Sequence, residues 1–498
     1  RVLFRSTFVG GSGTHTLGSL NIKNSTAAKC TLTSGDTTIN GEGSANKAIN
    51  IEGSNGVTNF AHGSGTVIIT HDGASDIKAD GVTLALNNLT INHASANINL
   101  KGNLSVAGNL VISAGELDTD SSNFDLTVTG GINVSGTFTG NASTVAIGFL
   151  EINGSGTFDA PNASGSLTIN NKATTTDNRA FDNDGTFNHN SGTVTITTAS
   201  STGLDLTGTG GTGINNLVIN NASCTGNFEG AISLAGDLTI TAGTFKANTP
   251  ASDTLTVAGD VSVTGTLGNA NLAHDQNYSF GSLTINSGGT YNATSGTTTI
   301  KGNASSSANL AWANSGTFTH NGGTVLFDST NTFGGSSFGH INPATNTFNN
   351  LTINADSKFL QLRGNSTTLT VAGDLTMTDG TLMNFGTNTV TTTVTGDVSI
   401  ANGATLGANT GGNDMTAPLN FGSLTIDSGG TFIATSDTTT LTGNFDNTGT
   451  FTHNDGLVTL SASAANITIN GTGTVEPAFH NLTYEGSNDV RVRRDITV

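Results

Sequence analysis

The stretch Phe280-Gly281-Ser282-Leu283-Thr284-Ile285-Asn286-Ser287-Gly288-Gly289-Thr290-Tyr291-Asn292-Ala293-Thr294-Ser295-Gly296-Thr297-Thr298-Thr299-Ile300 decides the fold. Its short runs, such as Leu283-Thr284-Ile285, alternate apolar and polar residues, then break at Gly, Asn or Ser. A period of two ended by turn residues is the pattern of a half-buried strand. The opening phrase returns as Phe421-Gly422-Ser423-Leu424-Thr425-Ile426, and the likeness runs on to Asn444.

Outward from this stretch, Asn87-Asn88-Leu89-Thr90-Ile91 recurs as Asn215-Asn216-Leu217-Val218-Ile219, Asn349-Asn350-Leu351-Thr352-Ile353 and His480-Asn481-Leu482-Thr483-Tyr484. The leucines of this phrase, Leu89, Leu217, Leu351 and Leu482, set a long period of about 131 residues. A second phrase, Gly-Thr-Phe-x-His-Asn-x-Gly, places histidines at His189, His320 and His453, with a weaker copy at Phe60-Ala61-His62. The two phrases divide the chain into repeats at about 1–86 (partial), 87–214, 215–348, 349–479 and 480–498 (partial). A shorter beat joins Leu217, Leu238, Val261 and Leu283 at intervals of 21, 23 and 22, which predicts about six coils in each long repeat. Helical spacing is absent.

A beat of 20-odd residues holding two or three short strands matches one coil of a parallel β-helix, which buries a core only by stacking. Antiparallel sandwiches would give short alternating strands without coil-length beats nested in a longer unit. The expected fold is therefore all-β: one continuous, elongated parallel β-helix (β-solenoid) over residues 1–498, built of about four long repeats. At ~4.8 Å between stacked strands, some 22 coils would extend roughly 105 Å, and one long repeat about 29 Å.

Composition agrees. The 67 glycines supply corners that need positive φ, and the five prolines belong in loops, because proline in a central strand removes a ladder hydrogen bond. Pro161 and Pro418 each follow Ala and precede a Ser-Leu-Thr-Ile leucine by six residues, while Pro343 and Pro477 precede Asn-Leu-Thr strands. Cys30 and Cys224 would be separated by about nine coils, too far for a disulfide, so both are expected free and at least partly buried.

The phrases from Phe280 to Ile300 and from Asn314 to Val325 resemble the Gly/Thr/Asn-rich β-solenoid repeats of secreted bacterial surface adhesins and fibres. They are also similar to repeat proteins of environmental phages. The resemblance runs from about Gly18 to the end of the chain. It implies a right-handed coil and a structural or adhesive role, and it brings no catalytic residues.

With 35 acidic and 16 basic residues the formal charge is −19, and only 10% of residues are charged. So few basic residues argue against a nucleic-acid partner. No run of eighteen apolar residues occurs, so no membrane-inserting helix is expected. Two cysteines exclude a four-cysteine zinc site.

Each candidate site has a plain structural reading beside it. The repeating His62, His189, His320 and His453 would stand about 29 Å apart, too far to share an ion, so each reads as a corner histidine bonded to its surroundings. Asp237 and Asp260 begin successive Gly-Asp strands, and Asp374 and Asp397 do the same at equal spacing. One coil of separation would stack each pair about 5 Å apart, as turn caps or around a weakly bound Ca2+. Asn109 at the place of Asp237 weakens the calcium reading, and the Gly-Gly-x-Gly-x-Asp nonapeptide does not occur in series. Threonine rows such as Thr297-Thr298-Thr299 read as a solvated face, with an ice- or glycan-facing strip as the alternative, and Phe187, Phe318 and Phe451 read as a core ladder.

These readings point to an extracellular or cell-surface fibre or stalk, non-enzymatic, self-associating head-to-tail or laterally, with surface glycans as further ligands. The alternatives are a virion fibre and a carbohydrate-cleaving β-helix enzyme, the last requiring carboxylates gathered in one groove. Arg494-Asp495-Ile496 matches Gly373-Asp374-Leu375 in phase, so the last coil would meet the first coil of a second copy, with Arg491, Arg493 and Arg494 facing its acidic groups. Ends that are cuts in a longer protein are the other reading.

Overall fold

A computed structural model describes the chain apart from residues 1, 5–6, 27–28, 44, 175–177, 207–209, 212, 250–251, 271–274, 303–309, 329–337, 344–345, 409–414, 463–464 and 472–476. Its contacts gather into two units, Arg1–Asn248 and Thr249–Val498. Both are all-β and built of parallel strands stacked turn on turn, about 19 turns of β-solenoid in all. Among the described residues the one α-helix is Gly53–Thr58.

In the first unit three ladders run from turn to turn. One joins Leu89, Leu110, Ile132, Leu150, Phe181, Leu204 and Phe228. A second joins Leu117, Phe138, Phe158 and Phe187. The third joins Leu104, Leu126, Val145, Leu167, Val194, Leu217 and Leu238. All these side chains are buried. Because strand residues alternate faces, one apolar residue in two is enough to fill the interior, and the threonines between them take the outside.

The phenylalanines form a column within this core. Ring centroids of Phe138 and Phe158 are 4.6 Å apart, and those of Phe158 and Phe187 are 5.8 Å apart with planes 5° from parallel. In the second unit Phe318 stacks under Tyr291 at 5.8 Å, and Phe451 under Phe432 at 5.9 Å. Phe187 is fully buried, whereas Phe318 and Phe451 are half-buried.

The turns are fewer and less even than the sequence beat suggested. One short turn runs from Ile132 to Leu150, and the much longer next one runs from Leu150 to Phe181. The ladders give the count of turns within a long repeat. From Leu89, five steps reach Leu204, yet Leu217, which repeats the Leu89 phrase, lies on a different ladder. From Leu351, five steps through Leu375, Val398, Leu424 and Phe445 reach Ile469. Leu482 again stands on another ladder, with Val458, Thr439 and Leu419. One sequence period thus spans five turns and two further faces. The shorter beat sampled short turns only, and the longer ones lower the count.

Pro161, Pro343, Pro418 and Pro477 all lie between strands, and Pro250 is outside the described residues. At Gly268 and Gly407 the chain turns with φ +86° and +97°, and an added Cβ would meet the carbonyl oxygen of Asn292 or Ile433 at 2.1 Å. Only glycine fits such a corner. Cys30 and Cys224 are free and buried; burial pushes the first thiol up to about 12 and the second to about 11.

Candidate functional site

The histidine phrase folds into a tight corner. In all four copies the two residues after the histidine both take positive φ: Gly63 and Ser64, Asn190 and Ser191, Asn321 and Gly322, Asn454 and Asp455. In three of them the amide of the fourth residue closes the turn on the histidine carbonyl, Gly192 to His189 at 2.7 Å, Gly323 to His320 at 2.9 Å and Gly456 to His453 at 3.1 Å. This is the two-residue left-handed turn that Asn and Gly favour. Each ring serves its own corner. Ser64, Ser191, Gly322 and Asp455 donate their amides to Nδ1 of His62, His189, His320 and His453, at 3.4, 2.7, 3.0 and 2.9 Å.

A second clasp ties three corners to the following turn. The side-chain amides of Asn87, Asn215 and Asn349 donate to the carbonyls of Ser64, Ser191 and Gly322 at 2.7, 3.2 and 2.8 Å. The fourth corner differs at both positions, with Asp455 in place of Ser or Gly and His480 in place of Asn. There Oδ1 of Asp455 stands 3.5 Å from Nδ1 of His453 and 3.7 Å from Nδ1 of His480. The two imidazole centroids are 5.5 Å apart. Sequence reasoning missed His480, because it reads there only as a variant of the Asn-Asn-Leu phrase.

The aspartates form part of a longer ladder. In the second unit Oδ1 of Asn350 accepts the Asp374 amide at 3.0 Å, and Oδ1 of Asp374 accepts that of Asp397 at 2.9 Å. Oδ1 of Asp397 accepts that of Ser423 at 3.2 Å. Asp374 and Asp397 therefore do occupy adjacent turns, and one oxygen of each caps the next strand. Asp237 belongs to the first unit, where its amide donates to Asn216 Oδ1 at 2.8 Å. Asp260 belongs to the second, where Oδ1 accepts the Ser282 hydroxyl at 2.8 Å. Asn109 fills the same role with Oδ1 accepting from Gly131 at 2.9 Å, so the cap needs an oxygen and not a charge.

Two charged clusters in the first unit were not legible as sequence motifs. Arg179 spans three turns, meeting Asp182 at 2.8 Å, Asp205 at 3.9 Å and Glu229 at 2.7 Å. Asp182, Asp184 and Asp205 also approach one another closely, and burial raises the Asp182 carboxyl above its ordinary range. Lys101 is paired with Asp120 at the rim of a groove that also carries Asp80, Asn103 and Phe124. The hydrogen bond from Lys101 holds Asp120 below the usual carboxylate range.

Near the C-terminal residue, Arg491 lies on the strand Val490–Val492, opposite Thr468 and exposed. Arg493 is exposed and donates its amide to Ile469 at 3.0 Å. Arg494 is folded back, its Nη1 donating to the Asn447 carbonyl at 2.8 Å. No helix among the described residues is long and apolar enough to cross a membrane. No protein-family model, curated protein or solved structure matches the chain.

Proposed function

We propose that this chain works mechanically, as a structural or adhesive segment of an extracellular cell-surface fibre. The observation that carries this reading is the clasp repeated on successive turns, in which an Asn, Asp or Ser side chain caps the strand of the next turn. Such a clasp resists separation of turns without adding a reactive group. Rows of threonine and asparagine between the clasps offer hydroxyls and amides of the kind that bind surface glycans. The coil is right-handed in this proposal, because parallel strands joined by successive crossovers take that hand in ~98% of cases.

The fibre is extended by copies stacking end to end, with exposed Arg491 and Arg493 meeting acidic groups of a neighbour. Screening by salt weakens such contacts. Sedimentation and electron microscopy of the purified chain at low and high salt test this. Polymers at low salt that dissociate at high salt, and that are lost in R491E/R493E, are expected. Single chains under both conditions overturn the self-association.

A further inference from the structure

We infer that the fourth histidine corner is a binding site for a divalent transition-metal ion of the zinc class, held by His453, Asp455 and His480. This corner departs from the other three at two positions at once. Elsewhere the asparagine amide clasps the corner carbonyl, and the residue beneath it is Ser or Gly. Here both positions change together, and the two new side chains, brought from successive turns, converge on the histidine already present. Either change alone would leave two ligands.

The geometry suits such an ion. Ligand atoms about 2.0–2.1 Å from a tetrahedral centre lie ~3.3 Å from one another, and the carboxylate oxygen is 3.5 and 3.7 Å from the two Nδ1 atoms. All three ligand atoms fall within 4.8 Å. The side chains of His453, Asp455 and His480 are 34%, 82% and 48% exposed, so small rotations close the set around an ion and leave a position for water. Binding takes up the Nδ1 lone pair of His453 that now accepts the Asp455 amide. Two imidazoles and one carboxylate suit Zn2+, Co2+ or Ni2+ and not calcium, which takes oxygen ligands. The inference is independent of the fibre reading.

The test is calorimetric titration of the full chain with Zn2+, and with Co2+ followed by its visible absorption. H480N and D455G place at this corner the residues that the other corners carry, so both variants are expected to fold. One ion per chain, a tetrahedral cobalt spectrum, and affinity lowered about tenfold or more in each variant are expected. Wild-type chain that takes up no ion, or H480N and D455G that bind as wild type does, overturns the site.

Discussion

Among single residues, two threonines at matching places in the second unit meet different fates. Thr298 points inward and is buried, and its hydroxyl lies 2.7 Å from the Tyr291 hydroxyl. In the later copy of this stretch Phe432 stands for Tyr291 and Thr439 for Thr298. The buried Thr439 hydroxyl has no partner among the described residues. A buried hydroxyl left unpaired costs about 1–3 kcal/mol. Thr298→Val is therefore expected to destabilise the second unit by ~1–2 kcal/mol, since it orphans Tyr291. Thr439→Val should be neutral or stabilising. Denaturant midpoints of the two variants give the comparison.

His340 provides a pH dependence in the same unit. It is buried, its ring lies edge-on to Phe385 at 4.9 Å, and Arg363 stacks over the same phenylalanine. Burial first, and then the Arg363 charge, lower its pKa to about 4. An unfolded histidine titrates near ~6.5. Between these values the unfolded chain binds a proton that the folded chain refuses, so stability falls as pH drops from ~6.5 towards 4 and is level above that window. The ratio of folded to unfolded chain should drop by up to about tenfold per pH unit from this residue. His340→Leu should flatten that part of the profile, measured as the difference in stability between variant and wild type from pH 7 to 4.5.

At the scale of the turn, the unit of construction is a strand set whose register is pinned by side-chain caps. Residues 374–396 make one full turn, because Leu375 pairs with Val398, Thr381 with Thr405 and Leu369 with Thr392. Deleting them would leave Gly373 followed by Asp397, place Val398 over Leu351 and bring Asp397 under the Asn350 cap. The excised chain is expected to fold with little change in melting temperature, since each turn contacts only its neighbours. Deleting 374–385 alone, about half a turn, should abolish folding of the second unit, because it moves every later apolar residue off its ladder. Circular dichroism melts of the two deletions decide this. Corner chemistry belongs to the same scale: the histidine turn and its asparagine clasp are rebuilt at three corners, and only the fourth trades the clasp for a ligand set.

For the molecule as a whole, the sequence repeats and the turns keep different time. The long period carries the phrase on by five turns and two faces, so the same words are read on a different face in the next copy. This holds separately in each unit, from Leu89 to Leu217 and from Leu351 to Leu482. Within each unit, surface features tied to one phrase, the histidine corners among them, are thereby shifted from one face to another and do not form a single column. A site built from one corner must therefore be completed by residues of its own and adjacent turns, as His453, Asp455 and His480 are.

The amino-acid sequence by itself determined the strand character, the parallel coil, the loop positions of Pro161, Pro343, Pro418 and Pro477, the free buried cysteines and the capping role of Asp374. Each of these follows from residues that are neighbours in the chain or that recur at coil length, so alternation and turn chemistry suffice. Only the tertiary structure decided how many turns one period spans, that Thr298 and Thr439 face inward, and that Arg179 reaches Asp205 and Glu229. The meeting of His480 with Asp455 was settled there too. These depend on the length of each intervening loop, which sets which residue stacks on which. Turns here range from the short one between Ile132 and Leu150 to the long one between Leu150 and Phe181, and a local pattern of two carries no information about that sum.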